Sequence, residues 1–462
     1  MKKEKTYWKS LAELNSDPLV EKLKQNEFVE ELPVDEFLQE DHLSSNNTSR
    51  RDFLKFLGFS TAAATLAACE APVNKVIPYV IKPEEIIPGI ANYYASTIYD
   101  GHDFASVLVK TREGRPIKIE SNKTSANARV QASVLSLYDS GRLRNPIKNG
   151  IESDWTTVDS DIIKKLNEIK DKEGNIAILS STIISPTTYQ LIANFSAEYG
   201  NVKHIQVDAV SYNGMLNANE ASFGVRALPT YHFDKAEVIV SFGADFLGNW
   251  GDADYATQYT QGRNPKNKKM SKHYQIESTL TLTGSNADER ISIKPSEQSS
   301  LLENLHIALT SGHEDVDTNL YPNFSLIDDI VTSLKSASSS IIICNSNDKY
   351  VQLLVNNINS LLGNYESTID ILNPSYLRKG NDQDVDDLIS DMNAGNIDSL
   401  ITYNINPSYV LINADDFNQG LEKVGLKVSA SSYMDETSIK MDYVCPDNHN
   451  LESWGDANPS HG

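Results

Sequence analysis

The sequence predicts an α/β protein whose parallel sheets are covered by helices on both faces, preceded by a β-hairpin region. From about residue 155 onward, short apolar runs alternate with longer amphipathic stretches. Apolar strands separated by helices are typical of parallel sheets that are buried on both faces. Before that region, two stretches of alternating polar and apolar residues flank a glycine turn at residues 113–115. This second pattern is typical of a β-hairpin.

The elements are predicted from hydrophobic periodicity, which repeats every three or four residues in helices and every two in half-buried strands. The hairpin strands are expected at residues 105–110 and 116–120, followed by a helical stretch at 132–137. The later helices are predicted at residues 160–169, 187–199, 300–311, 326–337 and 348–362. The later strands are predicted at residues 175–179, 204–207, 237–242, 340–344, 367–372 and 399–403.

Residues 49–69 resemble an export signal that ends in a lipidation site. They begin SRRDFLK, in which Arg50 and Arg51 are the pair typical of the twin-arginine route for folded proteins. The apolar run at residues 56–68 is shorter than the roughly 20 residues that a bilayer-spanning helix needs. It ends in LAAC, which resembles a lipobox, so Cys69 is the expected acylation site. The alternative is a buried alanine-rich helix, which does not account for either flanking motif.

These features divide the chain into three predicted regions. Residues 1–68 form an extended acidic signal peptide with its lipobox, and residues 69–100 form an extended tether whose prolines interrupt any helix. Residues 101–462 form the α/β domain. The expected location is the periplasmic side of the inner membrane, reached by twin-arginine export and kept by a lipid anchor.

Composition limits the chemistry of the chain. A net charge of −22 over 462 residues argues against nucleic acid as a partner and is compatible with a basic protein. The three cysteines include no Cys-x-x-Cys pair, so this chain cannot supply the four thiolates of an iron–sulfur cluster. Cys344 and Cys445 are expected to be free thiols, with a disulfide between them as the alternative. No histidine spacing suggests zinc, and no metal site is predicted.

Two strand ends are candidate ligand sites, because ligands of open α/β sheets bind at the carboxyl ends of strands. Gly243 and Asp245 follow the strand at 237–242. Asp245 could accept hydrogen bonds from a ribose or a guanine, or cap the next helix. Asn406, after the strand at 399–403, could present its amide to a nucleotide or belong to a plain turn. Neither segment has the glycine spacing of a dinucleotide fingerprint, and no catalytic residue is identified.

Several segments, taken together and in order, resemble molybdopterin oxidoreductases. The hairpin reads GRPIKIESN at residues 114–122, close to the GRPVKIEGN typical of that superfamily. Residues 281–290 read TLTGSNADER and are similar to its TLTGANADER segment. Residues 451–456 read LESWGD and resemble its LE-x-WGD turn. Two further matching segments are QASVLSLYD at 131–139 and RLRNP at 142–146.

Within the superfamily, the chain is most similar to the large iron–sulfur subunit of alternative complex III, a bacterial quinol:cytochrome c oxidoreductase. The acidic leader before the twin arginines is also similar to the leader of these subunits. The resemblance implies an oxidoreductase subunit in respiratory electron transport. Its implied partners are integral-membrane quinol-oxidising subunits and c-type cytochrome subunits of the same complex.

Three departures from the superfamily pattern shape the functional expectation. The cysteine-rich cluster motif of catalytic members is absent. The protein ligand of their metal has no clear counterpart either, since segment 211–215 offers Ser211 as a nominal candidate without matching the motif. The chain ends soon after the WGD-like turn, where members of the superfamily continue, so it is expected to be incomplete at its C-terminus. This portion is therefore expected to be non-catalytic and without cofactor, with iron–sulfur clusters only in a missing C-terminal part.

Two other functions stay open at this point. One is a working molybdenum or tungsten enzyme that holds molybdopterin guanine dinucleotide and reduces an inorganic oxyanion or polysulfide. The other is an exported lipoprotein that serves as a binding module without a redox role. Metal content separates the enzyme from the structural subunit, and downstream coding sequence rich in cysteine motifs would count against the binding module.

Overall fold

The structure, a computed structural model, describes residue 87 and residues 89–122, 126–266, 270–311 and 324–460. These residues lie in the compact unit Pro83–Gly462. The predicted signal peptide, with Arg50, Arg51 and Cys69, lies outside the described residues. The boundaries of the three predicted regions therefore stay predictions.

The described strands, in chain order, are β1 (Asn92–Tyr99), β2 (Phe104–Arg112), β3 (Arg115–Ser121), β4 (Ile147–Lys148), β5 (Ile151–Glu152), β6 (Ile176–Ser180), β7 (Val202–Gln206), β8 (Leu228–Tyr231), β9 (Val238–Phe242), β10 (Lys272–Glu277), β11 (Glu289–Ser292), β12 (Ser340–Cys344), β13 (Ile369–Ser375), β14 (Ser399–Tyr403), β15 (Leu426–Ser429) and β16 (Tyr443–Val444). The described α-helices are α1 (Ala128–Leu137), α2 (Trp155–Lys170), α3 (Pro186–Tyr199), α4 (Asn213–Phe223), α5 (Tyr255–Gly262), α6 (Leu282–Ser285), α7 (Gln298–Thr310), α8 (Phe324–Ser336), α9 (Lys349–Leu361), α10 (Asp382–Ala394), α11 (Pro407–Val410) and α12 (Ala414–Leu421).

The predicted hairpin is confirmed as β2 and β3, and β1 extends it into a three-stranded antiparallel sheet. Successive side chains of β2 point to opposite faces of the sheet, so that Val107 and Val109 face the helix α1. Val130 and Val134 of α1 are buried against them. β1 lies within the stretch predicted as a tether, so that prediction is wrong for residues 92–99. The sequence missed this strand because a strand of mixed polarity cannot be distinguished from extended chain until its partner strand is known.

A four-stranded parallel sheet has the order β11-β10-β9-β12. Along β9, Val240 and Phe242 point to the side where α7, α8 and α9 pack, whereas Ile239 points to the opposite side. On that opposite side Ile239 meets residues of α4 and α5, such as Leu216 and Tyr259. Both faces are buried, which is why β9 and β12 read as continuous apolar runs in the sequence.

A seven-stranded sheet has the order β5-β4-β16-β15-β14-β6-β7, and its strands from β16 to β7 are parallel. Leu179 and Leu400 pack on one face against α10 and α12. Ile176 and Val428 pack on the other face with α2, whose Val158 is fully buried there. The α/β class with helices on both faces of the sheets is therefore confirmed.

The strand predicted at residues 367–372 forms, but it does not join a parallel sheet. It is β13, and it pairs antiparallel with β8 in a separate two-stranded sheet. The sequence predicted the strand from its apolar residues, but its partner β8 lies far away in the sequence and has no signal of its own.

Three long helices begin at side chains that accept a hydrogen bond from the first turn. Asp154 caps α2, Ser185 caps α3 and Asp348 caps α9. Such caps satisfy backbone donors that have no partner within the helix. At the other end of α3, Gly200 is the C-cap and has φ of +87°, a conformation that glycine adopts without the steric cost of a Cβ.

Candidate functional site

The four-stranded sheet has a topological switch point between β9 and β12. From β9 the chain proceeds to β10 and β11 on one side, and then returns to place β12 on the other side of β9. Ligands of open α/β sheets bind in the crevice outside the carboxyl ends of the strands at such a point. A cleft of about 300 Å³ lies there, next to Gly243 after β9 and Asn345 after β12.

Four parts of the chain contribute to this cleft, which is referred to below as the β9–β12 cleft. They are the strand ends after β9 and β12, the N-terminal sheet with its helix α1, and the start of α4. The lining residues are His102, Arg129, Val210, Ser211, Tyr212, Met215, Gly243, Asp245, Asn249, Trp250, Cys344, Asn345, Ser346 and Asn347.

The structure places both predicted residues of the first strand end, Gly243 and Asp245, in the β9–β12 cleft. Gly243 has φ of +68°, and a Cβ at this position would lie 2.7 Å from Oδ1 of Asn345. Asp245 Oδ1 accepts hydrogen bonds from the backbone N and the hydroxyl of Thr283, at 3.0 and 2.7 Å. The Asp245 carboxylate thus fastens the TLTGSNADER segment to the end of β9.

A glutamine joins the two strand ends that border the cleft. Gln298 Nε2 donates to the backbone oxygen of Phe242, to Oδ1 of Asn345 and to Sγ of Cys344, at 2.9, 3.1 and 3.1 Å. Cys344 is fully buried, and burial raises the pKa of its thiol to about 11. The thiol is therefore a packed neutral group and not a nucleophile at neutral pH.

Ser211, the candidate metal ligand, lies in the cleft with all of its hydrogen-bonding capacity used. Its hydroxyl donates to Asp382 Oδ2 at 2.7 Å, and it accepts from the backbone N of Asn213 and from Asn347 Nδ2, both at 3.1 Å. A serine hydroxyl has one donor and two acceptor lone pairs. Metal binding through Ser211 would therefore require these bonds to break, so the residue does not fit that role.

Asn406, the third predicted residue, lies elsewhere, beyond the end of β14 in the seven-stranded sheet. Its Nδ2 donates to Glu436 Oε2 at 2.6 Å, and its Oδ1 accepts from Thr437 Oγ1, also at 2.6 Å. The residue precedes the short helix α11 and ties it to the 435–438 segment. The structure therefore brings Gly243 and Asp245 together but not Asn406.

Three basic side chains near the cleft were not identified from the sequence. Arg129 forms a two-pronged ion pair with Asp103, at 2.5 and 2.9 Å. Burial alone would raise the pKa of Asp103, but Arg129 outweighs burial and lowers it.

Arg378 is 4% exposed, and its Nη2 lies 3.1 Å from Nδ1 of His102. Burial and then the charge of Arg378 lower the pKa of His102, which keeps this ring neutral.

A second, much smaller cavity of about 20 Å³ lies beside the first. It is lined by aromatic rings, with Asp252 and Arg378 as its charged groups. Arg378 Nε has no hydrogen-bond partner although it is buried, and burial raises the pKa of Asp252. The volume suits one water molecule, which needs roughly 10–15 Å³ of this kind of space.

The described part of the chain contains no cluster of three or more His, Cys, Asp or Glu side chains arranged to hold a metal ion. Within the same residues, no helix has both the length and the apolar character to cross a membrane. Cys344 and Cys445 are free thiols, as expected.

No protein-family model matches the chain. Among curated proteins it is similar to the menaquinone reductase, molybdopterin-binding-like subunit of Nitratidesulfovibrio vulgaris strain Hildenborough. The identity is 22% over 485 aligned positions, which cover 89% of this chain and 67% of the relative.

Among solved structures it is similar to acetylene hydratase from Pelobacter acetylenicus. The TM-score is 0.59 and the identity 12%, over 77% of this chain and 61% of that one. The fold is molybdopterin-oxidoreductase-like. A weaker likeness, with a TM-score of 0.43 and 12% identity, is to the formyltransferase/hydrolase complex of Methylorubrum extorquens, over 63% of this chain and 84% of that one.

The name of the curated relative, a molybdopterin-binding-like subunit, agrees with the superfamily that the sequence motifs resemble. The chain spans less than two thirds of the acetylene hydratase chain. At 12% identity, that structure carries the fold alone.

Proposed function

We propose that the α/β domain is a structural, molybdopterin-oxidoreductase-like part of a membrane-bound, quinone-linked respiratory complex. The similarity to a molybdopterin-binding-like subunit of a menaquinone reductase supports the link to quinone chemistry. The finer proposal is the iron–sulfur subunit of alternative complex III, which oxidises quinol and reduces cytochrome c. Its basis is the resemblance of the chain to those subunits, including the acidic leader before Arg50 and Arg51.

One observation carries the structural role: polar side chains at the β9–β12 cleft are used to hold the scaffold together. The hydroxyl of Ser211 has three partners, Asp245 holds Thr283, and Asn347 joins Ser211 to the backbone N of Gly214. A side chain that also bound a metal or a substrate would need a lone pair or a proton left over for it, and the hydroxyl of Ser211 has neither. Because Ser211 does not fit a metal ligand, no reaction step is assigned to a molybdenum cofactor in this domain.

The proposed partners are integral-membrane quinol-oxidising subunits and c-type cytochrome subunits on the periplasmic side of the inner membrane. A net charge of −22 favours association with a basic partner surface. In this proposal the electrons travel through iron–sulfur clusters outside the α/β domain, and the α/β domain supplies surfaces for assembly.

The test is to purify the tagged full chain from membranes in mild detergent. We expect co-purification of haem-containing subunits, quinol-dependent reduction of cytochrome c, and molybdenum and tungsten far below one atom per chain by mass spectrometry. Ser211→Ala should leave the quinol-dependent rate unchanged, since the hydroxyl holds only scaffold contacts. Ser346→Ala, at another lining position of the cleft, is the matched control.

Two outcomes would contradict the proposal. One molybdenum or tungsten atom per chain, with activity lost in Ser211→Ala, would indicate a working molybdopterin enzyme. Purification without any haem protein or quinol activity would indicate a lipoprotein that acts as a binding module.

A further inference from the structure

The seven-stranded sheet has its own switch point, between β6 and β14. From β6 the chain proceeds to β7 on one side and later returns to place β14 on the other side of β6. The carboxyl ends of these strands carry Ser181 and Asn404. The same topological rule that locates the β9–β12 cleft therefore predicts a second ligand crevice at this point.

That crevice is taken by the turn between β1 and β2, residues 100–103, which we call the Gly101 turn. Gly101 is buried and has φ of +92°. A Cβ at this position would lie 2.7 Å from Oγ of Ser181 and 3.1 Å from Nδ2 of Asn404. The backbone of Gly101 therefore lies against both strand ends, with less space left than a single methyl group requires.

A hydrogen bond between the two strand ends narrows the crevice further. Asn404 Nδ2 donates to Ser181 Oγ at 3.0 Å and so bridges the two strand ends. Asn404 has φ of +51°, a left-handed conformation that asparagine adopts more readily than most residues with a side chain. Ser181 is 6% exposed and the next residue, Thr182, is 1% exposed.

Other contacts hold the Gly101 turn in place. The hydroxyl of Tyr99 donates to the backbone oxygen of Thr182 at 3.0 Å. Arg378 Nη1 donates to the backbone oxygen of His102 at 2.8 Å. The buried Arg378 guanidinium lies near the crevice, where a cation could neutralise a phosphate. It binds the backbone of the Gly101 turn instead.

We propose that the Gly101 turn is a built-in occupant of the β6–β14 crevice, so that the domain takes at most one nucleotide-type ligand, in the β9–β12 cleft. A nucleotide phosphate reaches a strand end only where the backbone is free to approach it closely. At β6 and β14 the protein's own backbone makes that approach. The inference concerns the closure of one crevice and does not depend on the proposed membrane assembly.

The test compares thiol labelling at the two switch points. Ser181→Cys and Ser346→Cys are prepared in the full chain, treated with N-ethylmaleimide, and each labelled peptide is followed by mass spectrometry. We expect Ser346→Cys, in the open cleft, to react at least about tenfold faster, because Ser181→Cys reacts only when the turn opens. Equal rates at the two positions would overturn the proposal.

A second pair of variants tests the turn itself. Gly101→Ala should expel the turn and speed the labelling of Ser181→Cys, because the new Cβ has no room. Gly200→Ala is the matched control: its φ of +87° imposes similar strain, but no atom lies within 4 Å of its Cβ. Labelling of Ser181→Cys should be unchanged there. Equal rates with and without Gly101→Ala would contradict the inference, and the first comparison stands if Gly101→Ala does not fold.

The ligand limit is tested by counting. The chain is purified from cells that make molybdopterin, and released pterin and guanine are quantified per chain after oxidation. One nucleotide or none agrees with closure of the crevice, whereas two per chain would overturn it. One molybdenum-loaded pterin per chain would contradict the proposed structural function and leave this inference intact, so the two failures are distinguishable.

Discussion

Asp245 shows how a residue predicted from a strand end acquires its role from a distant segment. It lies in the β9–β12 cleft, but its Oδ1 accepts two hydrogen bonds from Thr283, 38 positions away in the chain. A carboxylate that receives a backbone and a hydroxyl donor is a strong anchor for a loop. Asp245 Oδ2 lies 2.0 Å from the position that a Cβ on Gly248 would take, so any side chain at position 248 would displace the Asp245 carboxylate.

We expect Asp245→Ala to lower the free energy of unfolding by about 2 kcal/mol, because two hydrogen bonds to a charged acceptor are lost. Thr283→Val removes the hydroxyl partner. The double variant should show a coupling of about 1 kcal/mol in urea unfolding, since both changes remove the same bond. Additive losses would mean that this contact does not stabilise the fold.

His273 is a titrating residue for which acid stability can be predicted. It is fully buried, its Nδ1 lies 3.1 Å from the hydroxyl of Tyr259, and its Nε2 lies 3.3 Å from Oε1 of Gln275. Burial lowers the pKa of His273 to about 4. The unfolded chain therefore binds a proton at higher pH than the folded chain does, and acid favours unfolding.

The resulting stability is fully present above the unfolded pKa of about 6.5 and is lost as the pH falls towards 4. We expect the free energy of unfolding to fall by about 1.4 kcal/mol per pH unit in this window from His273 alone. His273→Gln should be less stable at pH 7. Its free energy of unfolding, measured by urea titration at several pH values, should fall less per pH unit than that of the unmodified protein. Identical slopes would show that His273 does not titrate on unfolding.

At the scale of elements, β10 is one of the strands that sequence periodicity missed. It reads KHYQIE, yet its residues from His273 to Glu277 are buried. Its polar face is satisfied internally: Gln275 Nε2 donates to Glu277 Oε2 at 3.2 Å, and Arg290 Nε donates to Glu277 Oε1 at 2.6 Å. Burial alone would raise the pKa of Glu277, but the donors Thr281 and Arg290 lower it. Polar residues are tolerated in a buried strand when they bond one another.

This buried glutamate explains a glycine in the TLTGSNADER segment. A Cβ on Gly284 would lie 2.0 Å from Glu277 Oε1, whose position is held by Arg290. We expect Gly284→Ala to lower the free energy of unfolding by about 1–3 kcal/mol, as overpacking does. Ser285→Ala, at the exposed neighbouring position, is the control and should change it by less than about 0.5 kcal/mol. Equal effects would contradict this explanation of the glycine.

At the scale of the whole molecule, the four-stranded and the seven-stranded sheet differ in what lies at their switch points. Both have a switch point at which α/β sheets bind ligands. The four-stranded sheet keeps a cleft there, whereas the seven-stranded sheet receives the Gly101 turn of the N-terminal sheet. The N-terminal sheet thus acts as packing for the larger sheet as well as a unit of its own.

Export of the whole protein is predicted from residues outside the described region. Replacing both Arg50 and Arg51 by Lys should leave precursor in the cytoplasm, because the twin-arginine route depends on that pair. Cell fractionation and immunoblotting measure this. The reverse replacement, Lys2→Arg with Lys3→Arg, is a charge-matched control that should not affect export. Normal export of the Arg50→Lys, Arg51→Lys variant would exclude the assignment.

Anchoring is a separate prediction, because export and acylation depend on different residues. Cys69→Ala should abolish incorporation of labelled palmitate and release the protein from washed membranes unless partner subunits retain it. Cys445→Ala, at a half-buried thiol in the folded domain, is the matched control and should keep the label. Persistent labelling of Cys69→Ala would show that residues 66–69 are not a lipobox.

The sequence by itself determined the α/β class, the hairpin, and most long helices and apolar strands, because hydrophobic periodicity is local and survives without knowledge of the partners. It also placed Gly243 and Asp245 at a strand end. Only the tertiary structure decided which strand ends meet, that β10 is buried despite its polarity, and that Ser211 and Asp245 hold the scaffold. It also decided that Gly101 lies against Ser181 and Asn404. These are contacts between residues far apart in sequence, and no local pattern encodes such pairs.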